Sequence, residues 1–372
     1  MTATGATLDG GRRSAAREFA GSVMTIMVKE LRSRMRGRRA FILLTIYLGL
    51  LALIAYAVYL VAAPNVAFGG LGQANASAVI GQAIFMILSI FQLILICFIA
   101  PAATAGQISL EREKQTLDLL ISTPMRPGAI VVGKLAAALA YVVLMILAAI
   151  PITAIVLMYG GATIEDIFRQ QLVLLATAMA LGAVGLFYSA LLKRTQAATV
   201  LTYITVLALT LGTAAIFVFW TLFSNQSNDG FAVGPPEPAP EQLLYLNPGV
   251  AMLDVISATE ADPFGGLTRT LAQLRGDPAA DGGVECIGDV CRPVDQFGNP
   301  IDVDLDSGHG YWWSRISLSF LGLAAILTVA SMRLVVPAGM RGIRRRRRRA
   351  SPPTEAETDS APAIEELRGE ES

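Results

Sequence analysis

Long apolar runs alternate with polar connections along the chain. Six windows, residues 41–63, 81–105, 135–158, 171–192, 197–223 and 315–336, hold no Asp, Glu, His, Lys or Arg apart from Arg315 and Arg333 near the ends of the last. Each is near or above the about 20 apolar residues that an α-helix needs to cross a hydrocarbon core about 30 Å thick. Backbone groups in lipid must be satisfied within their own segment, which excludes open sheets, and the runs lack the two-residue alternation of barrel strands. Tyr311, Trp312 and Trp313 form an aromatic belt at one end of the sixth window, and basic residues at such boundaries snorkel to the surface. The pattern predicts an all-α integral membrane protein with six transmembrane helices.

A further helix of different character precedes the first window. Glu18, Ser22, Thr25, Lys29, Arg32 and Arg36 recur at spacings of four and three, which places them on one helical face; Ala16, Ala20, Val23, Met27 and Leu31 lie on the other. This fits an N-terminal amphipathic interfacial helix whose apolar face enters the acyl boundary. The plainer alternative is a charged arm without fixed structure.

The basic residues set an orientation. The arm up to Ala40 carries nine Lys or Arg, the connection after the second window four, Lys193 and Arg194 follow the fourth, and nine lie from Arg333 onward; Arg169, Arg269, Arg275, Arg292 and Arg315 alone fall on the alternate side. The positive-inside bias places the two termini in the cytoplasm, and the even number of spans agrees by putting them on one side; the expected location is the cell membrane. The predicted organisation is a cytoplasmic arm with the amphipathic helix (1–40), helices one to five (41–223) with a cytoplasmic loop at 106–130, an extracytoplasmic insert (224–311), helix six (312–336) and a basic, then acidic, disordered tail (337–372).

Composition adds little. The zero net charge hides a basic cytoplasmic rim and an acidic insert. Arg344 to Arg349, directly after a span, reads as a contact for anionic lipids, and no nucleic acid partner is expected. Met1 to Gly37 is polar and basic, so the first span is expected to serve as the targeting signal. Within the insert, Leu243 to Ile256 is apolar but too short to cross, which predicts an interfacial or re-entrant element. Cys286 and Cys291 are candidates for a small disulfide loop in an oxidising compartment. Asp302, Asp304 and Asp306 begin like a calcium loop, but Ser307 and Trp313 stand where Gly and Glu are needed, so a solvated acidic turn is expected and no metal.

The loop after the second span concentrates its charges in Glu111, Arg112, Glu113 and Lys114, followed by an apolar stripe of Leu117, Leu120 and Ile121 at helical spacing. Thr123 and Pro124 interrupt it, and Pro127 with Gly128 opens the next helix. A charged amphipathic element at a membrane exit suits docking into a groove of another protein; the alternative is a solvated hairpin. Gly128 to Lys134 has the spacing of a phosphate-binding loop, but Leu135 replaces the Ser or Thr that holds magnesium and no strand precedes it. A nucleotide site here is not expected.

Glu-Arg-Glu-x-x-Thr-Leu-Asp-Leu-Leu-x-x-Thr-Pro from Glu111, with Ile130 and Gly133-Lys134 entering a span, resembles the permease subunits of ABC transporters of the ABC-2 type. Val28 to Phe41 and Tyr245-Leu-Asn-Pro-Gly-Val-Ala-Met-Leu253 are also similar to that family. The resemblance covers the amphipathic helix and the six-span core. It implies that Glu111, Arg112, Glu113, Thr116, Leu117 and Leu120 couple to an ABC ATPase subunit, that ATP and magnesium sit on that partner, and that a second permease subunit, as homodimer or heterodimer, completes the pathway. Gln115 departs from the family, which often has Gly there.

With no charges inside the spans, a polar pathway has only hydroxyl and amide side chains available. Thr199, Thr202, Thr210 and Thr213, with Thr195, share a narrow arc of span five; Gln82, Ser89 and Gln92, with Thr104 and Gln107, share one of span two. Helix packing and pathway lining both explain such stripes; the resemblance favours lining by spans two and five. Pro101 and Pro151 are expected to kink spans two and three. The chain reads as a transport subunit without a catalytic site of its own, and the resemblance implies an exporter. A scaffold presenting the insert is the alternative, ahead of a secondary transporter, which would normally carry an intramembrane ionisable group.

Overall fold

The computed structural model describes residues 18–32, 38–68, 73–116, 127–226, 241–257, 284–287, 290–293 and 311–335. Residues 18–32 form α1. They are followed by α2 (Arg38–Phe68), α3 (Gln73–Thr104), α4 (Ser109–Glu113), α5 (Pro127–Tyr159) and α6 (Ile164–Leu191). Next come α7 (Thr195–Leu207), a π-turn (Ala208–Gly212), α8 (Thr213–Gln226), a 3-10 turn (Glu241–Leu246), α9 (Pro248–Ser257), strands β1 (Val284–Ile287) and β2 (Val290–Pro293), and α10 (Tyr311–Val335). Six spans long and apolar enough to cross a membrane lie among these residues, and they coincide with the six windows. The fold is that of an all-α integral membrane protein, with one short hairpin in the insert that the apolar pattern did not mark.

Helix α6 is the centre of the bundle and packs against α3, α5 and α10. Its run of Ala176, Ala178, Ala180, Gly182, Ala183 and Gly185 keeps its surface low, so neighbouring backbones come close, as small residues permit in membranes. A Cβ on Gly185 would stand 2.2 Å from Thr104 Oγ1, and one on Gly182 2.7 Å from Leu139 Cδ2. Phe85, Leu88, Leu174, Leu181 and Phe320 fill the core around it. Spans one and five are the least covered by the rest of the protein.

Helices α3 and α5 run on through Pro101 and Pro151. A proline opens the ladder of the preceding turn. In α3, Tyr203 of span five donates its hydroxyl to the Phe98 carbonyl at 2.9 Å, one turn before Pro101.

At the insert end, the short apolar element becomes the 3-10 turn and α9. Helix α9 packs on α3, α6 and α10 and buries Val250, Ala251, Met252, Val255 and Ile256. Asp254, 1% exposed, accepts hydrogen bonds from the Trp312 and Trp313 backbone N–H groups at 3.0 Å each. A buried carboxylate at the start of α10 satisfies orphan donors and faces the positive end of the helix dipole. The hairpin pairs Cys286 directly with Cys291. The acidic turn at Asp302–Asp306, the Arg344–Arg349 run and the tail lie outside the described residues.

Candidate functional site

Helix α1 divides its surface in three. Phe19, Ser22, Val23, Ile26, Met27 and Glu30 are half-buried against the protein, Met24 and Val28 are exposed apolar side chains, and Glu18, Thr25, Lys29 and Arg32 form an exposed polar edge. The two-sided wheel read from the sequence thus gains a third, protein-facing side. Gly133 makes this packing possible: a Cβ there would meet Ile26 Cβ at 2.9 Å and the Val23 carbonyl at 3.3 Å.

One residue further along α5, Lys134 is 5% exposed. Its Nζ lies 2.7 Å from Glu111 Oε1 on α4 and 3.5 Å from Glu30 Oε2 on α1. A buried charge persists where it is paired, and here one cation joins three elements far apart in sequence. The apolar windows missed it because α5 begins at Pro127, a residue favoured in the first helical position. That start places Lys134 two turns inside the helix, whereas the window opens at Leu135. Gly128 to Lys134 is therefore helical and not a phosphate-binding loop.

The connection from Ala105 to Thr116 is tied down on its inner side throughout. Ser189 of α6 accepts from the Ile108 and Ser109 N–H groups at 2.9 and 3.0 Å. Arg112 donates to the Leu192 carbonyl at 3.5 Å. Glu113 Oε1 accepts from the Thr195 N–H, at the start of α7, at 2.7 Å, a carboxylate stabilised by a helix N-terminus. Of the residues marked for coupling, Glu111 and Arg112 thus turn their polar groups into the protein, and Glu113 is exposed while bonded to the start of α7. Thr116 is exposed and closes back on the Glu111 carbonyl; Leu117 and Leu120 lie outside the described residues. Leu110, Glu113, Lys114, Gln115 and Thr116 make up the exposed side.

Gln115 ends α4 with φ +57°. Its N–H reaches the Arg112 carbonyl and the Thr116 N–H the Glu111 carbonyl, at 3.2 and 3.0 Å, the Schellman closure in which glycine is favoured. Replacing Gln115 by Gly is expected to stabilise the chain by about 1 kcal/mol by removing the left-handed strain. An unchanged or lower thermal midpoint would count against this geometry.

The candidate pathway residues divide between two places. Gln82, Ser89 and Gln92 are buried inside the protomer; Gln92 Oε1 accepts from Gln170 Nε2 of α6 at 2.9 Å, and Ser89 donates to the Phe85 carbonyl. On span five, Thr199, Thr202, Thr210 and Thr213 each donate to a carbonyl one turn back in their own helix. Thr202 and Thr213 are buried, Thr199 and Thr210 half-buried. Among the described residues no group of acidic, His and Cys side chains could hold a metal.

A family model described as ABC-2 family transporter protein matches residues 24–273, more than half of the 372 residues. The chain belongs to the ABC-2 transporter family. No curated protein shows a match to it. The family match takes in Lys134, the connection from Ala105 to Thr116, span five and α9, so this ABC-2 protein is a multi-pass membrane permease component of a transporter.

Proposed function

We propose that the chain is the permease subunit of an ABC exporter, driven by ATP hydrolysis on a separate ATPase subunit that seats on the exposed side of the 105–116 connection. The observation that carries this reading is the one-sided anchoring of that connection. A force applied at Leu110, Lys114 and Thr116 reaches α1 and α5 through Lys134, α6 through Ser189 and α7 through Glu113. A solvated hairpin would need none of these ties. ATP and magnesium belong to the partner, and this chain supplies the moving helices. A second permease subunit, identical or homologous, would cover the exposed apolar sides of spans one and five. Thr199 and Thr210 could then face a pathway at once, whereas Gln82, Ser89 and Gln92 would be exposed only if span two moved away from α6.

Purification of the tagged chain in mild detergent tests the reading. An ABC ATPase should be recovered with it, and Leu110→Asp with Lys114→Glu should reduce the recovery while the chain's thermal midpoint holds. Recovery of no ATPase from membranes that contain the intact chain would reject the reading.

The same reading puts both termini in the cytoplasm, with Arg344–Arg349 against anionic lipids, and the insert in an oxidising compartment. The facing register of Cys286 and Cys291 suits a bridge, since paired strands bring opposed Cα atoms to about 4.5–5.5 Å, inside the disulfide range. Peptide mapping without reductant should find the peptide spanning both cysteines lighter by two hydrogens and closed to alkylation. Free alkylation of both thiols in protein taken from cells would reverse the orientation.

A further inference from the structure

Span five is not one continuous α-helix. Between α7 and α8 the backbone widens into the π-turn Ala208–Gly212, where the Thr213 N–H bonds to the Ala208 carbonyl five residues back. Such a turn leaves carbonyls without their usual α-helical partner, and turns of this kind are frequent at functional sites. Here two side chains take over. Thr213 Oγ1 donates to the Leu209 carbonyl at 2.7 Å, and Asn247 Nδ2, from outside the helix, donates to the Thr210 carbonyl at 3.0 Å.

Asn247 is 5% exposed and does two jobs at once. Its Oδ1 accepts from the Gly249 N–H at 2.8 Å, which makes it the N-cap of α9, followed by Pro248 in the favoured first position. Its amide nitrogen grips span five. Helix α9 is itself fixed to the start of α10 by Asp254. The chain of contacts therefore runs from span five through Asn247 and α9 to span six, and Asn247 holds span five by a neutral hydrogen bond. Such a bond is weak enough to break and re-form.

We propose that the π-turn is a hinge in span five and that Asn247 is the latch holding that turn to α9, released when the insert end of the pathway opens. The purpose of the latch rests on the transporter reading; its existence does not. With the latch closed, the turn is held to a helix anchored on span six. With it open, α8 pivots at the Thr210–Thr213 segment, where the wide turn has already loosened the backbone ladder.

The two jobs of Asn247 separate by substitution. Asn247→Asp keeps an oxygen for the Gly249 N–H but turns an acceptor toward the Thr210 carbonyl. Asn247→Ser also caps and has no amide donor. In hydrogen exchange of the full chain in lipid nanodiscs, both variants should speed exchange of the amides at 209–214 by about tenfold, with the α9 amides unchanged. Exchange at 209–214 within about twofold of the native chain in both variants would overturn the latch. So would loss of α9 protection in step, because Asn247 would then be only a cap. Neither ATP nor substrate enters the measurement, so its failure is distinct from failure of the ATPase recovery.

Discussion

Lys134→Met is expected to lower the stability of the chain by about 3–5 kcal/mol, the cost of removing one partner from a buried ion pair. Met has nearly the length of Lys, so packing against α1 survives and the loss is electrostatic. Glu111 and Glu30, which converge on Nζ from two elements, both lose this counter-charge. The triple variant Glu30→Gln, Glu111→Gln, Lys134→Met removes the charges together and should recover about half the loss or more, because a neutral set escapes the burial penalty. Thermal unfolding in detergent, read as loss of monodisperse protein, checks both. A single variant as stable as the native chain would mean that Lys134 is solvated and joins nothing.

Gly161→Ala should be as damaging for a steric reason. The turn between α5 and α6 lies directly on the first part of α3. A Cβ on Gly161 would stand 2.2 Å from the Gln82 nitrogen and 2.5 Å from the Ala78 carbonyl oxygen. These are backbone atoms of a transmembrane helix and cannot swing aside as a side chain end can. Gly81 faces the same junction, with its own Cβ position 2.7 Å from Tyr159 Cβ. Overpacking of this severity costs about 3 kcal/mol or more. Gly49→Ala is the control, since no atom lies within 4 Å of the added methyl, and its thermal midpoint should not fall. Equal midpoints for the two variants would show that the turn does not rest on α3.

Hydropathy alone placed the six spans, because lipid leaves a helix no other way to satisfy its backbone. It was blind to charges that the fold buries. Lys134 borders an apolar run and Asp254 interrupts a short one, so each read as a boundary or as an incident in a surface element. Both are buried, and each is held by groups far away in sequence: Glu30 and Glu111 for the first, the N–H groups of Trp312 and Trp313 for the second. No local period announces a partner 104 residues away, as Glu30 is from Lys134.

The charged loop illustrates the same limit from the other side. Its composition was legible as a docking element, but composition does not say which way a carboxylate points: Glu111 turns in to Lys134, and Glu113, though exposed, is tied to the Thr195 N–H. The Gly often found at position 115 in the family has its physical reason in the left-handed backbone there. The polar stripes of spans two and five were grouped by a constant helical angle, which the π-turn interrupts between Thr202 and Thr213, and the angle does not say what each stripe faces. Nor does a hydrophobic pattern reveal a π-turn, which adds one residue to a turn without altering composition. The hairpin had a local signal, Gly288-Asp289 between Val284-Glu-Cys-Ile287 and Val290-Cys-Arg-Pro293, of the kind that marks a two-residue connection.

A photo-activatable side chain at position 114, on the exposed side of the 105–116 connection, tests the central claim most directly when irradiated in intact membranes. One dominant cross-linked partner is expected, an ABC ATPase, lost when Lys134→Met removes the tie between the connection and α5. Cross-links only to lipid, to a second copy of this chain or to a protein of another class would contradict it.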